Sequence, residues 1–283
     1  MFNMIKSDVY RITKHAAFYI AAVIILFMIG ISVYVVEPGS VGLVSTGDVS
    51  TAPMSGGNVY ENMSYEEMKN LTVSKMRELA LNRGGYELDR AVLSANANLY
   101  YVFIFIAVLA ITVDFSAGSV KNTLSSAISR RKYFLSKTAL VFLVCLVLFF
   151  FNTYVLYFAN LIVNGGKVSS DLWTVTKVSL TQLPPMLAIM GVLVGIAFMV
   201  KKTSAFNVIA IPLLMVFQLL LSLVCKLFSL DSKIFQYELQ VMIRSLADNP
   251  SSGYLMRCCL YCGVLLAVFL GVGYASFRKS EIR

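Results

Sequence analysis

Charge is what this chain lacks most. Of its 283 residues only 14% are Asp, Glu, Lys or Arg, against roughly 25% in soluble domains. Too few charges are present to coat a soluble globule. The apolar share is 58% and the mean hydropathy +0.75, which excludes a disordered chain. Histidine is almost missing, since His15 is the only one. Five cysteines occur, at 145, 225, 258, 259 and 262. Cys259 and Cys262 have Cys-x-x-Cys spacing, yet no second pair accompanies them. A structural zinc site needs about four ligands, so no metal is expected. The cysteines read as small buried hydrophobes.

Catalytic signatures are missing too. No Gly-x-x-x-x-Gly-Lys-[Ser/Thr] phosphate loop exists, and Gly165-Gly166-Lys167 runs on into Val168 as a turn. There is no His-Glu-x-x-His and no Gly-x-Ser-x-Gly elbow. Acids inside the apolar stretches are nearly absent, with Asp114 the sole candidate. That counts against proton-coupled carriers and aspartyl intramembrane proteases, which use buried carboxylates. The chain is therefore read as a non-enzyme with no cofactor of its own.

Long apolar runs are what it has. About 20 apolar residues cross the hydrocarbon layer as a helix. Six stretches fit: residues 16–36, 99–113, 138–163, 178–200, 205–224 and 258–277. The second is short alone but extends backward through Ala95 and Ala97. The fold expected is an all-α membrane protein, one transmembrane domain over residues 1–283. The first run is too long for a signal-peptide core and lacks a small-residue cleavage site, so it reads as a retained helix.

Lys and Arg set the orientation. With the N-terminus inside, the inner segments carry 13 basic residues and only the acids Asp8, Asp114 and Glu281. The outer segments carry the other 11 basic residues and 12 acids. The net charge of +9 thus reports topology, with both termini cytoplasmic, and not a nucleic-acid surface. Before the first span, Phe2, Ile5, Val9 and Ile12 recur at helical spacing among Lys6, Arg11 and Lys14. Residues 1–15 therefore read as an interfacial helix.

Two outer segments are substantial. Residues 37–98 form a large loop that starts rich in Gly and Pro. Ser64 to Glu67 fits a capping box, with Met68, Leu71, Met76 and Leu79 following at helical spacing. The last outer segment places Phe235, Leu239, Met242, Ile243 and Leu246 on one face. Asp231 or Ser232 is its expected cap and Asn249-Pro250 its end. Within the spans, Asn152, Gln182, Asn207 and Gln218 are candidate pathway-lining residues. Such amides serve equally well as hydrogen bonds between helices. Gly191 and Gly195 form a Gly-x-x-x-Gly pair that permits close packing.

The informative stretch is residues 114–137, DFSAGSVKNTLSSAISRRKYFLSK. It joins the second and third spans on the cytoplasmic side. Asp114, Gly118, Ser119, Lys121, Leu124, Ser126, Ile128, Ser129, Arg130 and Lys137 stand in an order that resembles the intracellular loop of ABC-2 type ABC transporter permeases. That loop reads acid-x-x-x-Gly-[Ser/Thr], a basic residue and Leu, then Ser-x-Pro-[Ile/Val]-Ser-Arg, and ends near a Lys. Asp114 replaces the usual Glu, and Ala127 stands where Pro is common.

The resemblance implies a division of labour. The membrane subunit does no chemistry, and a separate ABC ATPase binds ATP and Mg. Residues 114–137 then hold a coupling helix that docks on the ATPase, with Arg131 in the same basic run. Two membrane subunits, identical or related, work with two ATPase subunits in a bacterial cytoplasmic membrane. The large outer loop and small membrane domain are similar to exporters linked to peptide or bacteriocin resistance. The expected substrate is a peptide or another hydrophobic or amphipathic molecule. The alternative is a non-transporting sensor or accessory protein whose outer loop receives a ligand.

Overall fold

The computed structural model describes residues 2–35, 93, 95–125, 128–163, 171–227, 237–247 and 250–280. All regular structure among them is helical. Helix α1 (Phe2–Lys14) is followed by α2 (Ala16–Val35). Helix α3 (Ala95–Ser116) opens with a 3-10 turn, Ala95–Leu99. It is interrupted by a π turn at Val108–Thr112. Then come α4 (Ser119–Ser125), α5 (Arg130–Val163), α6 (Leu172–Val200) and α7 (Thr203–Leu227). Short α8 (Leu239–Ser245) precedes the last helix, α9 (Ser252–Lys279).

Four of these, α3, α5, α6 and α9, are long and apolar enough to cross a membrane. Helix α2 joins them when the bent pair α1–α2 is taken as one span. The two helices of that pair meet at 69°, so α1 lies across the bundle end instead of prolonging α2. The described residues of all six apolar runs are helical, but α7 contributes only a shorter apolar stretch, Thr203–Leu213, and does not qualify as a span. The helices outrun the apolar windows at several ends. Helix α5 starts at Arg130, α6 at Leu172 and α9 at Ser252. Apolar length measures the lipid-facing part, whereas polar end turns continue the backbone ladder into water. Ser251 shows how such an end is finished: its hydroxyl accepts from the Tyr254 N–H at 3.3 Å.

Helix α6 is the hub. From Ala188 to Phe198 every residue is buried. That stretch carries no polar side chain, so neighbouring helices can enclose it without leaving a polar group unpaired. Its closest neighbour is α9. A Cβ on Gly195 would lie 2.5 Å from the Phe269 carbonyl oxygen, and one on Gly273 would lie 2.9 Å from the Gly195 Cα. Of the Gly191 and Gly195 pair, Gly195 is therefore the one in backbone-to-backbone contact, with Phe269 and Gly273. The outer surfaces of α5 and α9 are apolar and exposed, through Leu143, Val147 and Phe151 on one and Leu260, Val264 and Val268 on the other. Their spacing of about four residues makes continuous lipid-facing stripes.

The outer segment before α9 differs from its expectation. Helix α8 begins at Leu239, and Glu238 caps it, accepting from the Val241 N–H at 2.7 Å. Asp231 and Ser232, the caps expected from polarity, lie outside the described residues. Burial holds the Glu238 carboxyl above its ordinary value, opposed by the N–H groups of Val241 and Gln240. Helix α8 ends at Ser245, before Asn249-Pro250. The capping-box helix expected after Ser64 lies outside the described residues.

Candidate functional site

The loop between α3 and α5 is built by local chemistry. Gly118 has a φ of 69°, a left-handed conformation that costs an ordinary L-residue roughly 1–2 kcal/mol. It ends α3 by donating its N–H to the Phe115 carbonyl at 3.2 Å, while the Ala117 N–H reaches Val113 at 2.9 Å. The Ser119 hydroxyl donates back to the Asp114 carbonyl at 3.2 Å. Helix α4 follows at once. It buries Val120 and leaves Lys121, Asn122 and Ser125 exposed. Ser126 and Ala127 lie outside the described residues. Ser129 is the cap of α5, its hydroxyl accepting from the Lys132 N–H at 3.3 Å.

The two ends of this loop meet. The Lys137 ammonium is 2.5 Å from Asp114 Oδ2 and 2.7 Å from Asp8 Oδ2. Arg11 pairs with Asp114 and lies 3.3 Å from Asp8 Oδ1. The Tyr133 hydroxyl donates to Asp114 Oδ2 at 3.1 Å. Asp8, Asp114 and Lys137 are 7%, 3% and 2% exposed. Two anions and two cations balance, and each has a charged hydrogen-bond partner. Burying Asp8, Asp114 and Lys137 demands such pairing, because an unpaired buried ion costs several kcal/mol, while Arg11 stays half-exposed. The cluster ties α1 to the last turn of α3 and to the second turn of α5.

The neighbouring layer is aromatic. Phe115, Tyr133, Phe198 and Phe277 come from α3, α5, α6 and α9. Phe198 and Phe277 have ring centroids 5.2 Å apart, and Tyr133 and Phe277 5.7 Å. Such pairs add about 0.5–1.5 kcal/mol each beyond their burial. Arg130 completes the ties. One of its guanidinium nitrogens donates to the carbonyls of Arg278 at 2.6 Å and Ser280 at 2.8 Å. Those carbonyls are orphans of the α9 C-terminus, where a cation is favoured. Arg130 thus faces inward, while Arg131 and Lys132 are exposed. A hollow of about 410 Å³ opens between Lys121, Leu124, Ile128, Ser129 and Arg130. The described part of this loop thus carries α4, with Lys121, Asn122 and Ser125 exposed, on a base tied to α1, α3, α5 and α9.

The other end of the bundle holds an amide cluster. Asn96 donates to Gln182 Oε1 at 2.9 Å and to Thr153 Oγ1 at 3.1 Å. Asn152 donates to Asn96 Oδ1 at 2.8 Å. The Gln182 NH2 group donates to the Leu93 carbonyl at 3.2 Å and the Ile243 carbonyl at 3.0 Å. Thr181 reaches the Leu246 carbonyl at 3.0 Å. Helix α6 thereby satisfies the terminal carbonyls of α8. Of the pathway candidates, Gln182 and Asn152 are spent between helices, and Asn152 also borders a cavity of about 200 Å³. Ile25, Met28, Leu99, Val102 and Leu156 line the same cavity. Asn207 is half-buried near the start of α7. The side chain of Gln218 lies outside the described residues.

Sequence reasoning marked Asp114, Lys137 and the basic run but missed their partners. Asp8 and Arg11 read as ordinary charges of a surface helix. Their spacing, one turn apart on the side that also carries Ile12, was the available signal. Asn96 gave a weaker one, a lone amide just before an apolar run. Tyr133 gave none.

One comparison with known proteins finds a relative. A family model described as "Multidrug efflux system permease Rv1217c, C-terminal domain" matches residues 63–278. No curated protein and no solved structure matches. The matched region runs from the outer loop through the clamped loop, the amide cluster and the α6–α9 contact. The chain accordingly belongs to this efflux-permease domain family and is a multi-pass transporter permease of the membrane.

Proposed function

We propose that this permease is the membrane subunit of an ABC-2 type exporter, driven by ATP hydrolysed on a separate ABC ATPase. The observation that carries the proposal is the join of Asp114 to Lys137. It closes residues 114–137 into one unit whose base is clamped to α1, α3, α5 and, through Arg130, α9. A push on exposed α4 then moves several helix ends as one body. Hinge or shear repacking of the spans is the ordinary way such a push alternates access. The ATPase docks on α4 and the hollow beside it, with Arg131 and Lys132 as exposed cations at the rim. A second membrane subunit, identical or related, completes the passage. The assembly has six spans per subunit and both termini in the cytoplasm of a bacterium.

The substrate reading is an apolar or amphipathic compound, a peptide included. The description of the matching family, multidrug efflux, supports it. So does the cavity beside Asn152, which is lined mostly by aliphatic side chains. An ionic substrate would need intramembrane charges, and the six apolar runs carry no Asp, Glu, Lys or Arg.

The test separates docking from folding. Arg131→Glu with Lys132→Glu reverses two exposed charges without touching the buried cluster. Co-purification of an ABC ATPase from the same cell is expected to fall at least tenfold. Expression and thermal midpoint are expected to stay unchanged. Full ATPase recovery with the double variant would remove the docking assignment.

A further inference from the structure

Helix α1 has two faces of different charge. Asp8 is its only acid, and the fold turns it inward, where Lys137 and Arg11 neutralise it. Ile12 is buried beside it. The opposite edge carries Lys6, Tyr10 and Lys14, spaced by four residues and all exposed. Tyr10 is 65% exposed, and the Lys14 ammonium lies 5.6 Å from its ring centroid. Since α1 turns 69° away from α2, this edge runs along the bundle end. Arg131, Lys132, Arg278 and Lys279 are exposed at the same end, whereas its described acids, Asp8 and Asp114, are both buried. Among the described residues of this end, every exposed charge is positive.

We propose that the Lys6–Tyr10–Lys14 edge of α1 is a binding site for anionic phospholipid headgroups. Two lysines two turns apart stand about 12 Å from each other along the axis, so they reach separate phosphates. A tyrosine between them suits the boundary of water and hydrocarbon, where its ring is apolar and its hydroxyl wet. A protein partner for these lysines is the competing occupant. The lipid is favoured because the edge belongs to a helix lying across the end of a bundle of apolar spans. Each basic residue close to an anionic surface contributes about 1 kcal/mol, or roughly a fivefold change in affinity. Removing both lysines should therefore weaken anionic-lipid binding by roughly 30-fold.

The test uses the full chain in neutral detergent, titrated with phosphatidylglycerol or phosphatidylcholine. Bound lipid is counted by native mass spectrometry and the thermal midpoint is followed. Phosphatidylglycerol is expected to bind more tightly than phosphatidylcholine and to raise the midpoint, with an effect that weakens as salt rises. Lys6→Gln with Lys14→Gln should lose most of that preference. Lys6→Arg with Lys14→Arg should keep it, which separates lost charge from lost fold. Lys177→Gln, on the exposed start of α6 at the other end, should leave it intact. Equal phosphatidylglycerol preference in the wild type and the Gln pair overturns the proposal. So does a Gln pair that keeps the lipid response but loses a co-purifying protein. Neither result bears on docking at Arg131 and Lys132, which the Gln pair leaves in place.

Discussion

Asp114→Asn is expected to destabilise the protein by about 3–5 kcal/mol, the usual cost of breaking a buried ion pair. Asparagine keeps the shape but turns one accepting oxygen into an NH2 group, which then faces Arg11 or the Tyr133 and Lys137 pair, all of them donors. What it removes is the charge that Lys137 and Arg11 share. Asp8 then faces two cations alone, so the buried Lys137 must share its one remaining counterion with the half-exposed Arg11. Lys137→Met leaves the opposite excess, two carboxylates against Arg11, and should cost a similar amount. The double variant keeps Asp8 and Arg11 as a balanced pair. Its loss should be smaller than the sum of the single losses by about 2 kcal/mol, within the range for directly interacting residues. Reversible unfolding in mixed micelles measures all three. Additive losses would mean that the two ends of the loop do not hold each other. The same variants should uncouple transport from ATP hydrolysis, since the loop would no longer move as a unit with α3 and α5.

Gly195→Val is expected to separate α6 from α9 and to cost more than 3 kcal/mol, above the common range for overpacking. The reason is what the new Cβ meets. At Gly195 it meets the Phe269 carbonyl oxygen at 2.5 Å and carbonyl carbon at 3.0 Å, which are backbone atoms of α9. Neither can rotate away. Gly191 makes the useful contrast, because its closest neighbour is the end of the Leu266 side chain. Leu266 can change rotamer, so Gly191→Ala should cost under about 1.5 kcal/mol, while Gly195→Ala should cost clearly more. Detergent-resistant folded fraction and thermal midpoint distinguish the two. Equal effects at the two glycines would contradict the close backbone approach.

Much of this was readable along the chain. Apolar length finds helices because a bilayer admits few alternatives to them. Gly118 could be placed at a helix end because its left-handed role is local. Asp114 and Lys137 could be singled out from their order in the loop. What could not be read was who meets whom. The partner of Lys137 includes Asp8, 129 positions away, and Arg130 caps a helix that ends almost 150 positions later. Those pairings depend on how whole helices pack, and charge patterning carries no record of them. Arg130 shows the consequence most clearly. Its place in the basic run suggests a docking residue, and its guanidinium also holds the end of α9, a tie made beside the exposed Lys121, Arg131 and Lys132. The amides behave in the same way. Asn152 and Gln182 were equally suited to a pathway or to helix contacts, and the second role became visible only when Asn96 and the α8 carbonyls came within reach.

Co-expression with an ABC ATPase from the same cell, followed by ATP hydrolysis in lipid discs, tests the central claim most directly. The account predicts a stable complex whose hydrolysis rises several-fold with an amphipathic substrate from a panel. It also predicts that Asp114→Asn with Lys137→Met keeps the complex but loses the substrate-dependent rise. A permease that recovers no ATPase, and leaves hydrolysis unchanged across the panel, would contradict it.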